Sequence, residues 1–166
     1  MDSSVQNIVT AHLNAIKDGI TARMAQQGRN ASGRTVRSLE VRATDNGGSL
    51  EGDSTFLYLE HGRGPGKIPH DFYDIIKDWV IAKGISYQQF APRNGTPEQG
   101  LTRLSGAIAM SIMKNGTKLY RDHGYNDIFS ELMESELDKL SKETMGVFEA
   151  EVEKLQEIEL DEDKSE

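Results

Sequence analysis

Residues 39–53, LEVRATDNGGSLEGD, decide the fold class, because they carry strand signals in a chain whose other patterned segments are helical. Apolar and charged residues alternate over 39–43, which is the period of two that a half-buried strand shows. The tetrapeptide DNGG at 45–48 predicts a tight hairpin turn, since Asn and Gly tolerate positive φ angles. Residues 49–53 would then return antiparallel to the first strand.

Amphipathic helical patterns surround this hairpin. Residues 5–25 place apolar side chains three and four positions apart, and the same period recurs over 70–83, 99–114 and 126–158. Residues 55–60, TFLYLE, fit either a third strand or one helical turn. The sequence therefore predicts an α+β fold, with an N-terminal helix, a small antiparallel sheet of two to four strands, packed helices and a long C-terminal helix.

The predicted organisation is a core domain over 1–125, a long helix over 126–158 and an acidic, disordered tail over 159–166. Polar segments punctuated by Gly and Pro predict loops at 28–34, 61–69 and 86–98. Aromatic residues cluster in sequence around the second loop. Because large aromatics dominate burial, we expect them in the core: Phe56, Tyr58, Phe72, Tyr73 and Trp79.

Composition narrows the class of protein. The chain has 166 residues, 36% of them hydrophobic, a mean hydropathy of −0.57 and no cysteine. No apolar run approaches the roughly 18–20 residues of a membrane span, and no basic segment followed by an apolar one predicts a signal peptide. The lack of cysteine excludes disulfides, thiolate nucleophiles and cysteine-based metal sites, and it fits a reducing cytoplasm.

Charge is divided unevenly along the chain. Residues 1–125 hold 15 basic and 12 acidic side chains, a net charge of +3, whereas residues 126–166 hold 4 and 15, a net charge of −11. The acidic segment disfavours non-specific nucleic-acid binding by the whole surface, but a local basic patch remains open.

A basic stretch lies beside the first predicted loop, at Arg29, Arg34, Arg37 and Arg42. Two interpretations stay open: contact with phosphate or an acidic partner surface, or a solvated loop with scattered charge. The acidic C-terminal segment offers a complement, so the basic loop of one subunit could pair with the acidic helix of another. Such ion pairs steer register more than they stabilise.

The second predicted loop contains GRGPGK at 62–67. A P-loop needs four residues between its glycines and a Ser or Thr after the Lys, but only three separate Gly62 from Gly66, and Ile68 follows Lys67. The spacing also fails the dinucleotide-binding fingerprint. The segment is therefore interpreted as a rigid turn that connects the sheet to a helix.

Catalytic and metal-binding patterns are weak. His61 and His70 flank the glycine loop, which leaves a loose zinc site conceivable, although solvated histidines are commoner. Glu60 beside His61 suggests acid–base chemistry, but no nucleophile or second carboxylate accompanies it in sequence. Three serines lie outside any nucleophile-elbow context: Ser32, Ser38 and Ser105.

The order of these features resembles a family. An N-terminal amphipathic helix precedes SGRTVRSLEV, the DNGG turn and YLEHGRGPGKIP, after which come a helix ending WVIAKGI and the segment GYNDIFSELMESELDKL. This order resembles the small neck and tail-completion proteins of tailed bacteriophages, in the group of the tenth gene product of coliphage HK97. The recurrent L/F-E-x-G segment of that group is matched by residues 59–62, and the GPGK, IP, W and KGI variant is similar to versions in phages of Bacteroidetes. The resemblance covers roughly residues 5–145, and the long acidic C-terminus departs from it.

The resemblance implies a structural virion protein without catalytic activity, cofactor or metal. It implies a ring of six or twelve copies at the phage neck, assembled in the host cytoplasm, that joins portal, adaptor or head-closure proteins to tail proteins and has no membrane contact. DNA would only pass through the channel; the alternative is a DNA-binding module that uses the basic loop. Loops commonly carry interactions, so two sets of partner-binding residues are predicted. They are Arg29, Arg34 and Arg37 in the first loop, and Gly62, Arg63, Gly64, Pro65, Gly66 and Lys67 in the second.

Overall fold

The structure, a computed structural model, describes residues 3–44 and 47–162. Its elements confirm the predicted α+β class. In chain order they are α1 (Ser3–Gln26), α2 (Arg34–Arg37), β1 (Glu40–Thr44), β2 (Gly47–Glu51), α3 (Thr55–His61), α4 (Phe72–Ala82), a 3₁₀ turn (Gln88–Phe90), α5 (Pro97–Asn115), α6 (Lys118–Arg121) and α7 (Ser130–Glu162).

The predicted antiparallel hairpin is confirmed, but the returning strand is Gly47–Glu51 rather than 49–53, so Gly47 and Gly48 of the predicted turn belong to β2. β1 pairs antiparallel with β2, in a register that sets Glu40 opposite Glu51 and Thr44 opposite Gly47. The first two residues of the predicted DNGG turn lie outside the described residues. Residues 55–60 form a helix rather than a third strand. Asp53 explains this choice, because its Oδ1 accepts the backbone N–H of Thr55 at 2.9 Å and so satisfies a donor at the start of α3.

The long helices lie close to their predicted positions, as α1, α4, α5 and α7. α5 starts two residues early because Pro97 occupies its first position and the Gln99 side chain accepts the N–H of Thr96 at 3.1 Å. α7 starts four residues late, at Ser130. The short α2, α6 and 3₁₀ turn were not predicted, since one helical turn is too short to show a period. The predicted acidic tail over 159–166 is helical to Glu162, and its last four residues lie outside the described part.

The chain separates into two compact units. Unit 1 comprises Met1–Ala22, Leu39–Glu51 and Phe129–Glu166, and unit 2 comprises Arg23–Ser38 and Gly52–Ile128. The boundary therefore falls inside α1. Unit 1 holds most of α1, the hairpin and α7, while unit 2 holds the remaining helices.

In unit 1, α1 makes close contacts with the hairpin and with α7. A Cβ added to Gly48 would lie 2.6 Å from Leu13 Cδ1, so the hairpin backbone approaches the helix closely at this point. Gly19 of α1 likewise lies against the Leu132 side chain of α7. The apolar stripe of α1 is buried, as the pattern predicts, at Val5, Ile16 and Ile20.

The core of unit 2 lies between α4 and α5. Ile76, Val80 and Ala109 are buried there, and eight partly buried apolar side chains surround them: Ile68, Phe72, Ile85, Tyr87, Leu101, Leu104, Ile108 and Ile112. Gly100 of α5 faces the backbone of the 3₁₀ region, where any side chain would collide with the Tyr87 carbonyl. The two central helices therefore pack through one apolar stripe each.

The expectation that the five aromatics lie in the core is wrong for three of them. Phe56 is buried and Phe72 borders the core, but Tyr58, Tyr73 and Trp79 are exposed. The reason is helical geometry, because successive residues are turned by about 100° and a helix in contact on one side leaves its other faces free. Trp79 precedes the fully buried Val80 and so faces elsewhere.

Candidate functional site

A groove in unit 2 brings together parts of both predicted sets of partner-binding residues. Two adjoining cavities, each of about 450 Å³, share Arg34, Thr55 and Ile75 in their lining, and together they make one surface. We call it the basic groove. Its lining comes from α3 and α4, from the segment before α2 and from the segment between α3 and α4.

Five basic side chains line the groove: Arg29, Arg34, Arg63, Lys67 and Lys83. The acidic side chains in its walls are Asp53 and Asp71, so its lining has a net charge of +3. Asp71 lies 4.0 Å from Arg34, and both side chains are more than half exposed, so this pair neutralises little. The Thr55 hydrogen bonds, followed by a smaller contribution from Arg34, hold the pKa of Asp53 below its usual value.

Apolar and aromatic side chains form the floor of the groove. Tyr58, Leu59, Ile75 and Trp79 line it, and Tyr58 and Trp79 are 46% and 39% exposed. Aromatic rings flanked by arginines are typical of surfaces that bind a partner, since such residues are enriched in interfaces. Two aromatic residues that were expected in the core, Tyr58 and Trp79, therefore lie in this groove instead.

The glycine loop at 62–67 connects α3 to α4, not the sheet to a helix as predicted. Its backbone is fixed against α6: Arg63 N–H donates to Thr117 Oγ1 at 2.9 Å, and the Arg63 carbonyl accepts from Thr117 N–H at 2.8 Å. Gly66 N–H donates to the Met113 carbonyl at 2.9 Å. Gly62 has φ 77°, and a Cβ there would lie 2.5 Å from Tyr120 N. The loop is therefore a rigid element, as the sequence predicts.

Four residues of the two predicted partner-binding sets line the basic groove, and the others belong to the loops beside it. Arg29, Arg34, Arg63 and Lys67 line the groove. The Arg63 guanidinium also lies over the Phe72 ring at 5.3 Å from its centroid and donates to the Lys67 carbonyl. Arg37 instead donates to the Ser32 carbonyl at 3.2 Å and braces the first loop. The remaining members of the second set shape the loop backbone: Gly62, Gly64, Pro65 and Gly66.

Glu60 has a structural environment. It is fully buried, and its Oε1 accepts from the Tyr125 hydroxyl at 3.3 Å and from Ile128 N–H at 3.4 Å. Its backbone carbonyl accepts from Asn126 N–H at 2.9 Å. His61 is exposed, with its ring 5.4 Å from that of Tyr125. The Glu60 carboxylate thus organises residues 125–128.

Two of the serines singled out by the sequence, Ser38 and Ser105, are at least partly buried. The Ser38 hydroxyl donates to the Thr35 carbonyl at 2.7 Å and accepts from Asp53 N–H at 2.9 Å, which ties the segment after α2 to the segment before α3. Ser105 is fully buried in α5, and within the described residues its hydroxyl has no hydrogen-bond partner. Over that same part of the chain, no group of three or more metal-ligating side chains converges.

A second surface lies on α7 in unit 1. Six large apolar side chains are 38–62% exposed: Met133, Leu137, Met145, Phe148, Val152 and Leu155. At 100° per residue they fall within an arc of about 120°, and at 1.5 Å per residue they extend over about 33 Å. We call this the α7 apolar face. The helix carries twelve carboxylate side chains and three lysines, a net charge of −9.

A different face of α7 holds a buried polar cluster with α1. His12 Nδ1 lies 2.9 Å from Glu136 Oε2, and its Nε2 lies 3.3 Å from Glu143 Oε2. The hydrogen bond to Glu136 is the largest of the effects that raise the pKa of His12 above 6.5. Hydrogen bonds from Lys139 and then His12 lower the pKa of Glu136. This cluster was not predicted, although His12 lies on the apolar stripe of α1, a position that indicates burial.

Comparisons with known proteins add no further constraint. No protein-family model, curated protein or solved structure matches this chain. Among the helices that the structure describes, none combines the length and apolar composition needed to cross a bilayer. Function is therefore inferred below from the sequence resemblance and from the basic groove and the α7 apolar face.

Proposed function

We propose that the chain is a structural subunit of the neck of a tailed bacteriophage, where copies form a ring that joins portal or head-closure proteins to the tail. The resemblance of the sequence suggests the location. The structural observation that carries the proposal is the α7 apolar face, which is left uncovered although another face of the same helix contacts α1. Several exposed large apolar side chains grouped on one helix face are typical of an interaction site.

The environment of the motif at residues 59–62 supports a structural role. Glu60, which is part of the match to the L/F-E-x-G segment, holds residues 125–128 through hydrogen bonds and is sealed from solvent. The glycine that closes the motif allows the loop to approach α6. The features behind the resemblance thus build the scaffold that presents the basic groove.

Assembly can be tested with purified protein. We expect light scattering to give a mass of several subunits and electron microscopy to show rings. Phe148→Ser removes the central side chain of the α7 apolar face and should raise the dissociation constant of the assembly at least about tenfold, since central aromatics dominate interfaces. Glu153→Ser, on the same helix but outside that face, is the matched control.

The neck location needs the virus particle. Mass spectrometry and electron microscopy of purified particles should locate about one ring of the protein between head and tail. Its absence from particles and from all assembly intermediates would contradict the proposal, and so would turnover of a substrate that depends on Glu60 or His61.

DNA binding through the basic groove is the second candidate. The excess of basic over acidic side chains in the groove and its exposed Tyr58 and Trp79 favour it, because nucleic-acid sites combine positive charge with aromatic stacking. Binding to a DNA oligonucleotide should then weaken steeply with salt. With a single-stranded oligonucleotide, each arginine removed, Arg29→Ala or Arg34→Ala, should reduce the slope of log K against log salt by about 0.7.

Arg103→Ala is the control for that measurement, since Arg103 is exposed on α5 outside the basic groove. Equal losses for the groove and control variants would indicate general electrostatics rather than a DNA site. Undetectable binding at low salt would exclude this candidate.

A further inference from the structure

We infer that the α7 apolar face of one copy docks into the basic groove of the next copy. The inference rests on the proposed function, because it names the two surfaces through which the subunits of the ring meet. Both surfaces are exposed in the single chain, and they are complementary in charge and in apolar character.

The net charge of α7 favours the basic groove over a second copy of α7 as its partner. Two copies of the helix packed face to face would bring net charges of −9 together, and like charges across an interface are strongly unfavourable. The basic groove has a net charge of +3. Acidic side chains border one edge of the α7 apolar face, among them Asp138 and Glu149, where they would meet arginine and lysine on the groove walls.

The apolar side chains of the α7 apolar face also match those of the basic groove. A helix that docks in a groove is held by side chains spaced three and four residues apart, and Met145, Phe148 and Val152 have this spacing. The groove offers Tyr58, Trp79 and the apolar floor between them. Arginine and aromatic side chains together are the residues most enriched in interface centres.

The geometry of such a contact leads to a ring. The two surfaces are different, so the contact is heterologous and each subunit offers one of each kind. Repeated heterologous contacts close into a ring when the rotation between neighbours divides a full turn. This inference therefore gives the proposed ring a specific pair of faces.

A mixed-cysteine experiment tests the pairing directly, because the chain has no cysteine of its own. Full-length Phe148→Cys and Trp79→Cys proteins, one of them carrying a mass tag, are mixed and oxidised. We expect a disulfide-linked heterodimer, formed at least about tenfold faster than with two matched controls. The controls are Glu153→Cys, elsewhere on α7, and Ser111→Cys, exposed on α5 outside the groove.

The outcomes separate the inference from the proposed function. A heterodimer specific to Phe148→Cys with Trp79→Cys supports the pairing. A disulfide between two Phe148→Cys chains would show that α7 pairs with itself, and this would overturn the inference. A disulfide between the two positions within a single chain that carries both substitutions would also overturn it. If wild-type protein forms rings but the specific heterodimer is absent, the inference fails and the proposed function stands. If no assembly forms and particles lack the protein, both fail.

Charge exchange provides a second test that does not depend on oxidation. Arg34→Glu should weaken assembly about tenfold or more, and Glu149→Lys in the same chain should recover at least part of that loss. Both positions are exposed, so neither substitution should disturb folding. Additive losses in the double variant would contradict a direct meeting of the two surfaces.

Discussion

Units 1 and 2 are stabilised in different ways. Unit 2 has an apolar core between α4 and α5, and its glycine loop is joined to α6 by backbone hydrogen bonds. In unit 1, the contact between α1 and α7 includes a buried histidine between two carboxylates, while six apolar side chains of α7 stay exposed. The comparison indicates that unit 2 presents a preformed groove, whereas unit 1 keeps apolar surface for a partner.

The largest effect is expected where unit 2 depends on close backbone contact. Gly62→Ala should lower the free energy of unfolding by about 3 kcal/mol or more, because φ 77° strains any L side chain and the added Cβ meets the backbone of Tyr120. Urea denaturation measures the loss. Gly106→Ala, in α5 with open space around it, should instead stabilise by about 0.5–1 kcal/mol. Equal effects at the two positions would show that the loop is not fixed.

The buried carboxylate of unit 2 should have the next largest effect. Glu60→Gln keeps the shape of the side chain but turns one carboxyl oxygen into an NH₂ donor at a fully buried site, where the Tyr125 hydroxyl and Ile128 N–H already donate, so we expect a loss of about 1–3 kcal/mol. Glu51→Gln, at an exposed ion pair with Arg42, should change stability by at most about 0.5 kcal/mol. A neutral result for Glu60→Gln would remove the structural explanation of the motif.

The sequence predicts periodic and local features well and distant contacts poorly. The hairpin and the four long helices follow from alternation and from the 3.6-residue period, which local sequence determines. The contact between Gly62 and Tyr120, and the pairing of His12 with Glu136, join residues far apart in sequence, and no periodicity encodes them. Trp79 illustrates the limit, since its exposure depends on which face of α4 meets α5.

The same limit applies to the basic groove. Arg29, Arg34, Arg63 and Lys67 were proposed from two separate loops, and composition alone gave no reason to combine them. Lys83 was missed because it follows α4 as a single charge without a pattern. Arg37 was included because it belongs to the same basic stretch, but its contact with Ser32 directs it to the loop.

The polar cluster in unit 1 predicts a pH dependence. A raised pKa for His12 means that its protonation stabilises the fold; this contribution is complete below about pH 6.5 and is lost as the pH rises through the raised value. The lowered pKa of Glu136 means that its ionised form stabilises the fold. This contribution is complete above about pH 4.5 and is lost as the pH falls through the lowered pKa. Unit 1 should therefore be most stable between about pH 4.5 and 6.5.

Hydrogen exchange of the α1 amides can measure this dependence. After correction for intrinsic exchange rates, protection in the wild type should decrease between pH 5.5 and 8.5, whereas His12→Gln should remove most of that decrease. At pH 5.5 the substitution should cost about 1.5–3 kcal/mol of local stability, which is the range for a hydrogen bond to a charged group. Replacing the exposed His70 in the same way is the control. A profile that is flat for the wild type would show that His12 does not change its protonation state in this pH range, which contradicts the prediction.

The smallest effect is expected on the exposed face of α7. Leu137→Ser should change the free energy of unfolding of dilute protein by no more than about 0.5 kcal/mol, because Leu137 is 50% exposed and substitutions at the surface of a helix change stability little. Leu140→Ser, three residues further along and partly buried, should cost about 1–3 kcal/mol. At concentrations where subunits assemble, Leu137→Ser should weaken assembly more than Leu140→Ser does. If Leu137→Ser instead destabilises the dilute monomer as much as Leu140→Ser does, the face is part of the fold of unit 1 and is not available to a partner.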